Sequence, residues 1–167
     1  MNKDTIGSMW AKTAAEVSSF FANVDTNQFS ADRGDRWTLA QNLDHMILSV
    51  KPVARGLRVP KLLIRLLFGK ASGSNSYGQI HEDYKAKLAA GYESPLAYMS
   101  PSVASQQVLL ERWDQAAKQL TANLATWNET QLDRLRMPHP LLGKITVREM
   151  LYFTDFHTRH HLENCQS

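Results

Sequence analysis

Thr146-Val147-Arg148-Glu149-Met150-Leu151-Tyr152-Phe153-Thr154-Asp155-Phe156-His157-Thr158-Arg159-His160-His161-Leu162 is the stretch on which the fold turns. It opens with a capping box. The Thr146 hydroxyl and the Glu149 carboxylate can each satisfy an amide of the first turn, so a helix starts here. Val147, Met150 and Phe153 then recur at helical spacing and form an apolar arc. His157 and His161 fall on that same arc, one turn apart and about 40° from each other on the wheel. Three of the chain's six histidines lie within five residues here. Two imidazoles on a core-facing arc must have their ring nitrogens satisfied, and a bound metal is the simplest way to do so.

The same periodicity extends through the rest of the chain. A first helix is expected from Asp4 to Val24, with Ile6, Trp10, Thr13, Val17, Phe20 and Val24 as its seam. Thr26 to Trp37 reads as a connection. Thr38-Leu39-Ala40-Gln41 is a second capping box and opens a second helix through at least Val50, which Pro52 is expected to bend or end. Pro60 to Lys70 is a short apolar and basic piece, and Ala71 to Ser76 a loop by composition. Gln79 to Ala90 reads as a short helix closed by Gly91. Ser100-Pro101 has the cap-and-proline signature of a third long helix, with a seam of Val103, Leu110, Trp113, Ala117, Leu120, Leu124 and Trp127. A helical turn is expected within Asn128–Arg136, and an irregular connection at Pro138, Pro140 and Gly143. There is no internal repeat and no alternating strand pattern. The expectation is an all-α four-helix bundle, with short extra helices between the second and third long ones.

Size and composition fit this reading. The 167 residues suffice for one domain with a sizeable core, and 43% hydrophobic against 21% charged residues excludes disorder. The net charge of +3 excludes a general polycation. One cysteine, Cys165, rules out an intrachain disulfide and fits a reducing compartment. No export signal or membrane span is readable, so a cytoplasmic protein is expected. Glycine-rich phosphate loops, nucleophile elbows and paired-cysteine motifs are absent from the sequence.

His45, on the second helix, is placed to supply a third imidazole. It lies at the edge of the arc formed by Leu39, Leu43, Met46 and Val50, a position that suits either a pocket rim or a partly solvated surface. Three segments taken in order now carry a family resemblance. They are Trp37-Thr38-Leu39-Ala40-Gln41-Asn42-Leu43-Asp44-His45, the stretch from His139-Pro140 to Arg148-Glu149, and His157-Thr158-Arg159-His160-His161. Together they resemble the DinB-like superfamily of metal-dependent enzymes, which includes the YfiT-like proteins. The resemblance implies a four-helix bundle, spanning residues 1–167 as a single domain, with a three-histidine site for a divalent metal. Carried over by position, the ligands are His45, His157 and His161. Family members often have glutamine three residues after the last histidine, where this chain has Asn164. Known members include thiol-dependent transferases and isomerases.

Three neutral imidazoles suit zinc or nickel, with manganese a further candidate, and leave the ion its full charge. Such a centre can bring a water to a pKa of about 7. It can equally activate a low-molecular-weight thiol. A hydrolase or a thiol-dependent transferase acting on a small-molecule substrate is therefore expected. The alternative is a non-catalytic bundle that holds a small ligand or a metal. A general base is expected near such a centre, and Asp44, Asp155 and Glu163 neighbour the ligands in sequence, but they read first as solvated surface carboxylates. His160 reads as a neighbour of the site, His81 and His139 as solvent or loop histidines, and Cys165 as part of a fraying terminus. Lys51, Arg55, Arg58, Lys61, Arg65 and Lys70 alternate with leucines in a stretch without acids. There the apolar side is expected to cap the bundle and the basic side to face water. The other readings are a positive potential that draws an anionic substrate or thiol towards the metal, and binding of nucleic acid or an acidic membrane surface. No nucleic-acid motif is present, and a homodimer is compatible with the pattern but not specified by it.

Overall fold

A computed structural model describes residues 1–91, 98 and 104–167. Four long helices carry the architecture: α1 (Lys3–Ala22), α3 (Leu39–Gly56), α6 (Gln106–Leu124) and α8 (Val147–Gln166). They close a ring in which α1 packs on α6, α6 on α3, α3 on α8, and α8 back on α1. Their seams meet in one core, with Trp10, Val17 and Phe21 from α1, Leu43, Met46 and Val50 from α3, Leu109, Trp113 and Leu120 from α6, and Val147, Met150 and Leu151 from α8. Trp10 and Trp113 lie 5.9 Å apart across the α1–α6 seam. The indole N–H of Trp113 donates to the Ala14 carbonyl at 3.3 Å, so a large ring is buried with its donor satisfied. The first seam follows expectation at Ile6, Trp10, Thr13 and Val17, but Phe21 and not Phe20 is the fully buried aromatic. α1 ends at Ala22, which leaves Val24 beyond the helix and half-buried.

Capping explains where the helices begin. Thr38 and Gln41 complete one reciprocal capping box and Thr146 and Glu149 another. Asn128 and Gln131 form a third, at the head of α7 (Glu129–Arg134). The expected start of the third long helix at Ser100-Pro101 falls outside the described residues. The helix itself begins at Gln106, with the Ser105 side chain accepting from the Val108 N–H. Pro52 does not end α3, which runs on to Gly56. Pro52 is exposed, so water can replace the hydrogen bond it cannot make, while Val53, Ala54 and Leu57 anchor the chain beyond it.

The smaller elements fill the ends. The connection after α1 contains a single-turn helix, α2 (Thr26–Ser30), whose Phe29 enters the core. Between the second and third long helices lie α4 (Lys61–Phe68) and α5 (Tyr77–Ala89), with Gly91 in the left-handed region at φ 82° beyond the α5 cap. The expected irregular connection at Pro138, Pro140 and Gly143 is an antiparallel hairpin, β1 (Arg136–His139) and β2 (Gly143–Thr146). Its prolines masked the pattern: Pro138 breaks the alternation expected of a strand and is tolerated in a two-stranded ribbon. The loop before α5 is tied down by α8, since the Glu149 carboxylate accepts from the amides of both Asn75 and Thr146 at 2.7 Å.

Candidate metal centre

α3 and α8 bring three imidazoles to one point. His45 lies beside Leu43 and Met46 in the buried part of α3, and is itself 1% exposed. It is therefore a core residue and not a partly solvated one. α8 supplies His157 and His161 one turn apart, His157 buried and His161 half-buried. One ligand atom from each of the three lies within 4.8 Å of the others. The Nε2 atoms of His45 and His157 are 3.3 Å apart.

Hydrogen bonding fixes two of the tautomers. His45 Nδ1 is 2.6 Å from the Tyr98 carbonyl, which can only accept, so Nδ1 carries the proton and Nε2 a lone pair. Asn42 donates through its amide nitrogen to the carbonyls of Trp37 and Thr38, which leaves its Oδ1 as an acceptor. His161 Nδ1 donates to that oxygen at 3.1 Å. Both rings are thus oriented by the nitrogen that does not face the cluster. Trp37 packs edge-on to His45 at 4.9 Å and nearly parallel to His161 at 6.0 Å, while Phe153 stacks on His157 at 5.0 Å.

Burial sets the charge state. Desolvation lowers the pKa of His45, opposed by its bond to Tyr98 and by Asp44. His157 is held well below the ordinary value by burial and then by the other imidazoles. His161 is pushed down to about 3, again by burial first and then by His45 and His160. At neutral pH the three rings are uncharged nitrogen donors, the form that ligates a cation. An all-imidazole set fits zinc or nickel better than calcium or magnesium, which prefer oxygen.

A cavity of about 350 Å³ adjoins His45 and His157. Val53, Phe68, Met137, Leu141, Met150 and Phe153 give it apolar walls, and Ser49, Tyr84, Tyr98 and His139 are its polar members. No Lys, Arg, Asp or Glu lines it among the described residues. His139 is not a solvent histidine. It is buried on β1 against Phe153, and burial brings its pKa down to about 4. Its Nδ1 accepts from the amides of Leu141 and Leu142, so the neutral ring carries its proton on Nε2. His81 sits on α5, half-buried against Phe156.

The neighbouring residues also differ from expectation. Asp155 is 1% exposed and accepts from Thr13, Tyr77 and Arg159, a structural junction and not a surface group. Asp44 is buried too, and only Glu163 is exposed. His160 is outside the cluster and is hydrogen-bonded to Asn164 at 3.2 Å, which occupies that shorter amide away from the three imidazoles. Cys165 lies in the core within intact helix, and burial raises its thiol to about 12. Asn42 is the residue that sequence reasoning passes over, and His139 the one that it reads as a solvent or loop histidine. Asn42 stands three residues before His45, one turn away on the same helix, and that spacing was the available signal.

A four-helix bundle with three imidazoles gathered between its second and last long helices defines a class of candidate metalloproteins. The chain belongs to the DinB superfamily, whose family profile matches residues 9–165. It is also similar in fold to a solved structure described as TT2238, a four-helix bundle protein, with a TM-score of 0.62, 18% identity and 98% of each chain covered. No curated protein sequence matches it. Among the described residues no helix is long and apolar enough to cross a membrane.

Proposed function

We propose that the chain is a metal-dependent enzyme that holds one divalent cation, zinc or nickel before manganese, through His45, His157 and His161. The observation that carries this reading is the convergence of three uncharged imidazoles, two of them oriented by carbonyl acceptors. A cation held there supplies Lewis acidity to a substrate oxygen or sulfur. The protein's own part is to exclude water and position the reactant. The cavity walls accept a small, largely apolar molecule, and the absence of charged lining residues among those described disfavours a buried anionic group. The His139 Nε2–H is a donor for a carbonyl on such a molecule, and Tyr84, whose pKa is raised by burial, keeps its hydroxyl proton as a second. Hydrolysis and transfer to a low-molecular-weight thiol are the reactions this arrangement serves. The second reading, a non-catalytic bundle that stores a small apolar ligand, draws on the lack of a carboxylate base in the described lining.

Metal analysis of the purified protein is the test. One equivalent of cation, lost in His157→Ala and restored to wild-type protein by zinc, nickel or manganese, is the expected result. Unchanged occupancy in His157→Ala would remove that residue from the ligand set. Failure of all three metals to load would remove the enzymatic reading with it.

A further inference from the structure

The face of α4 that points away from the core is apolar. Ile64 is 1% exposed and Phe68 half-buried, so this side of the helix packs inward. Leu62, Leu63, Leu66 and Leu67 occupy the opposite arc and are 65%, 44%, 73% and 57% exposed. The expected arrangement, leucines against the bundle and cations toward water, therefore holds for only half of the helix. A helix that is apolar on both sides is ordinarily covered on both, and four adjacent exposed leucines mark a contact surface.

The charge around these leucines indicates what covers them. From His45 to His81 the sequence has no Asp or Glu, while Lys51, Arg55, Arg58, Lys61, Arg65 and Lys70 fall within it. Among the described residues none of these six is in an ion pair. Lys61, Arg65 and Lys70 line a groove beside α4 together with Arg134, and no carboxylate shares it among the described residues. A second copy docked by a two-fold axis would set these cations against themselves. The leucines stand out as a ridge, whereas a partner helix is received by a groove. Duplex phosphates would match the cations but leave the leucines uncovered. A leucine ridge flanked by cations matches an anionic lipid surface, with apolar side chains entering the acyl boundary and the cations meeting phosphate.

We infer that α4 docks the protein on anionic membrane surfaces, with Leu62, Leu63, Leu66 and Leu67 inserted and Lys61, Arg65 and Lys70 against the headgroups. This does not depend on the metal reading. The docking helix also borders the cavity beside the histidines, which is lined by Val59, just before α4, and by Phe68, its last residue.

Co-sedimentation with extruded vesicles tests it. The wild-type protein should bind vesicles of equal parts phosphatidylcholine and phosphatidylglycerol and bind pure phosphatidylcholine much more weakly. The double variant Leu66→Glu/Leu67→Glu should lose about tenfold or more in vesicle affinity, with its circular dichroism and melting temperature unchanged because both positions are exposed. Lys61→Gln/Arg65→Gln should weaken binding and flatten its salt dependence. Absence of wild-type binding would overturn the inference, as would equal binding by the glutamate variant. So would light scattering that shows a wild-type dimer made monomeric by the glutamates, since a second copy would then be the occupant. Binding to duplex DNA at least as tight as to the vesicles would assign the cations elsewhere and overturn it too.

Discussion

At the residue scale the site depends on groups that never face the cluster. Asn42 uses its nitrogen to bind the carbonyls at the start of α3 and its oxygen to orient His161. Asn42→Ala should leave the three imidazoles in place but free the His161 ring, and weaken metal binding by about 10- to 100-fold. Competition with a chelator of known affinity measures this. Asn42→Asp, which keeps an acceptor, should retain more of the affinity than alanine. His157 and His161 were legible because helical spacing alone puts them on a core-facing arc. His139 was not, because its burial comes from Phe153 of the helix that follows and from a hairpin that its flanking prolines conceal.

At the scale of elements, the capping boxes at Thr38 and Thr146 were readable because cap chemistry is local. The head of α6 is set by the same chemistry, with Ser105 as its cap, while the expected start at Ser100-Pro101 lies outside the described residues. The α8 box does more than its sequence suggests. Glu149 is 5% exposed, and its two oxygens accept from amides on two different segments. Glu149→Ala should strand both donors and cost about 3 kcal/mol of stability. Thr38→Ala, the loss of a cap alone, should cost about 1 kcal/mol. Urea unfolding midpoints compare the two directly, and equal losses would contradict the bridging role of Glu149.

For the whole molecule, buried neutral histidines impose a pH dependence. In the unfolded chain an imidazole titrates near 6.5, while folding lowers His139 to about 4 and His161 to about 3. Below pH 6.5 the unfolded state takes up protons that the native state refuses. The stabilisation is complete above that value and is lost progressively as pH falls toward the folded values. Each such group can contribute up to about 1.4 kcal/mol per pH unit. Metal-free protein should therefore lose at least about 2 kcal/mol between about pH 7 and pH 5, seen as a falling urea midpoint. A flat profile would mean that the rings are not held neutral. The ring of four helices was legible at this scale because each seam repeats over many turns. The outer face of α4 was not, because an apolar pattern reports that a face is covered without saying by what.

Trp37 lies against two of the three imidazoles, while the other three indoles are buried away from the cluster in the core. Its share of the fluorescence of the four tryptophans consequently responds to what happens at that point. An open-shell ion beside it would dim the emission and a closed-shell one would spare it, so filling of the centre can be followed optically before any reaction is known.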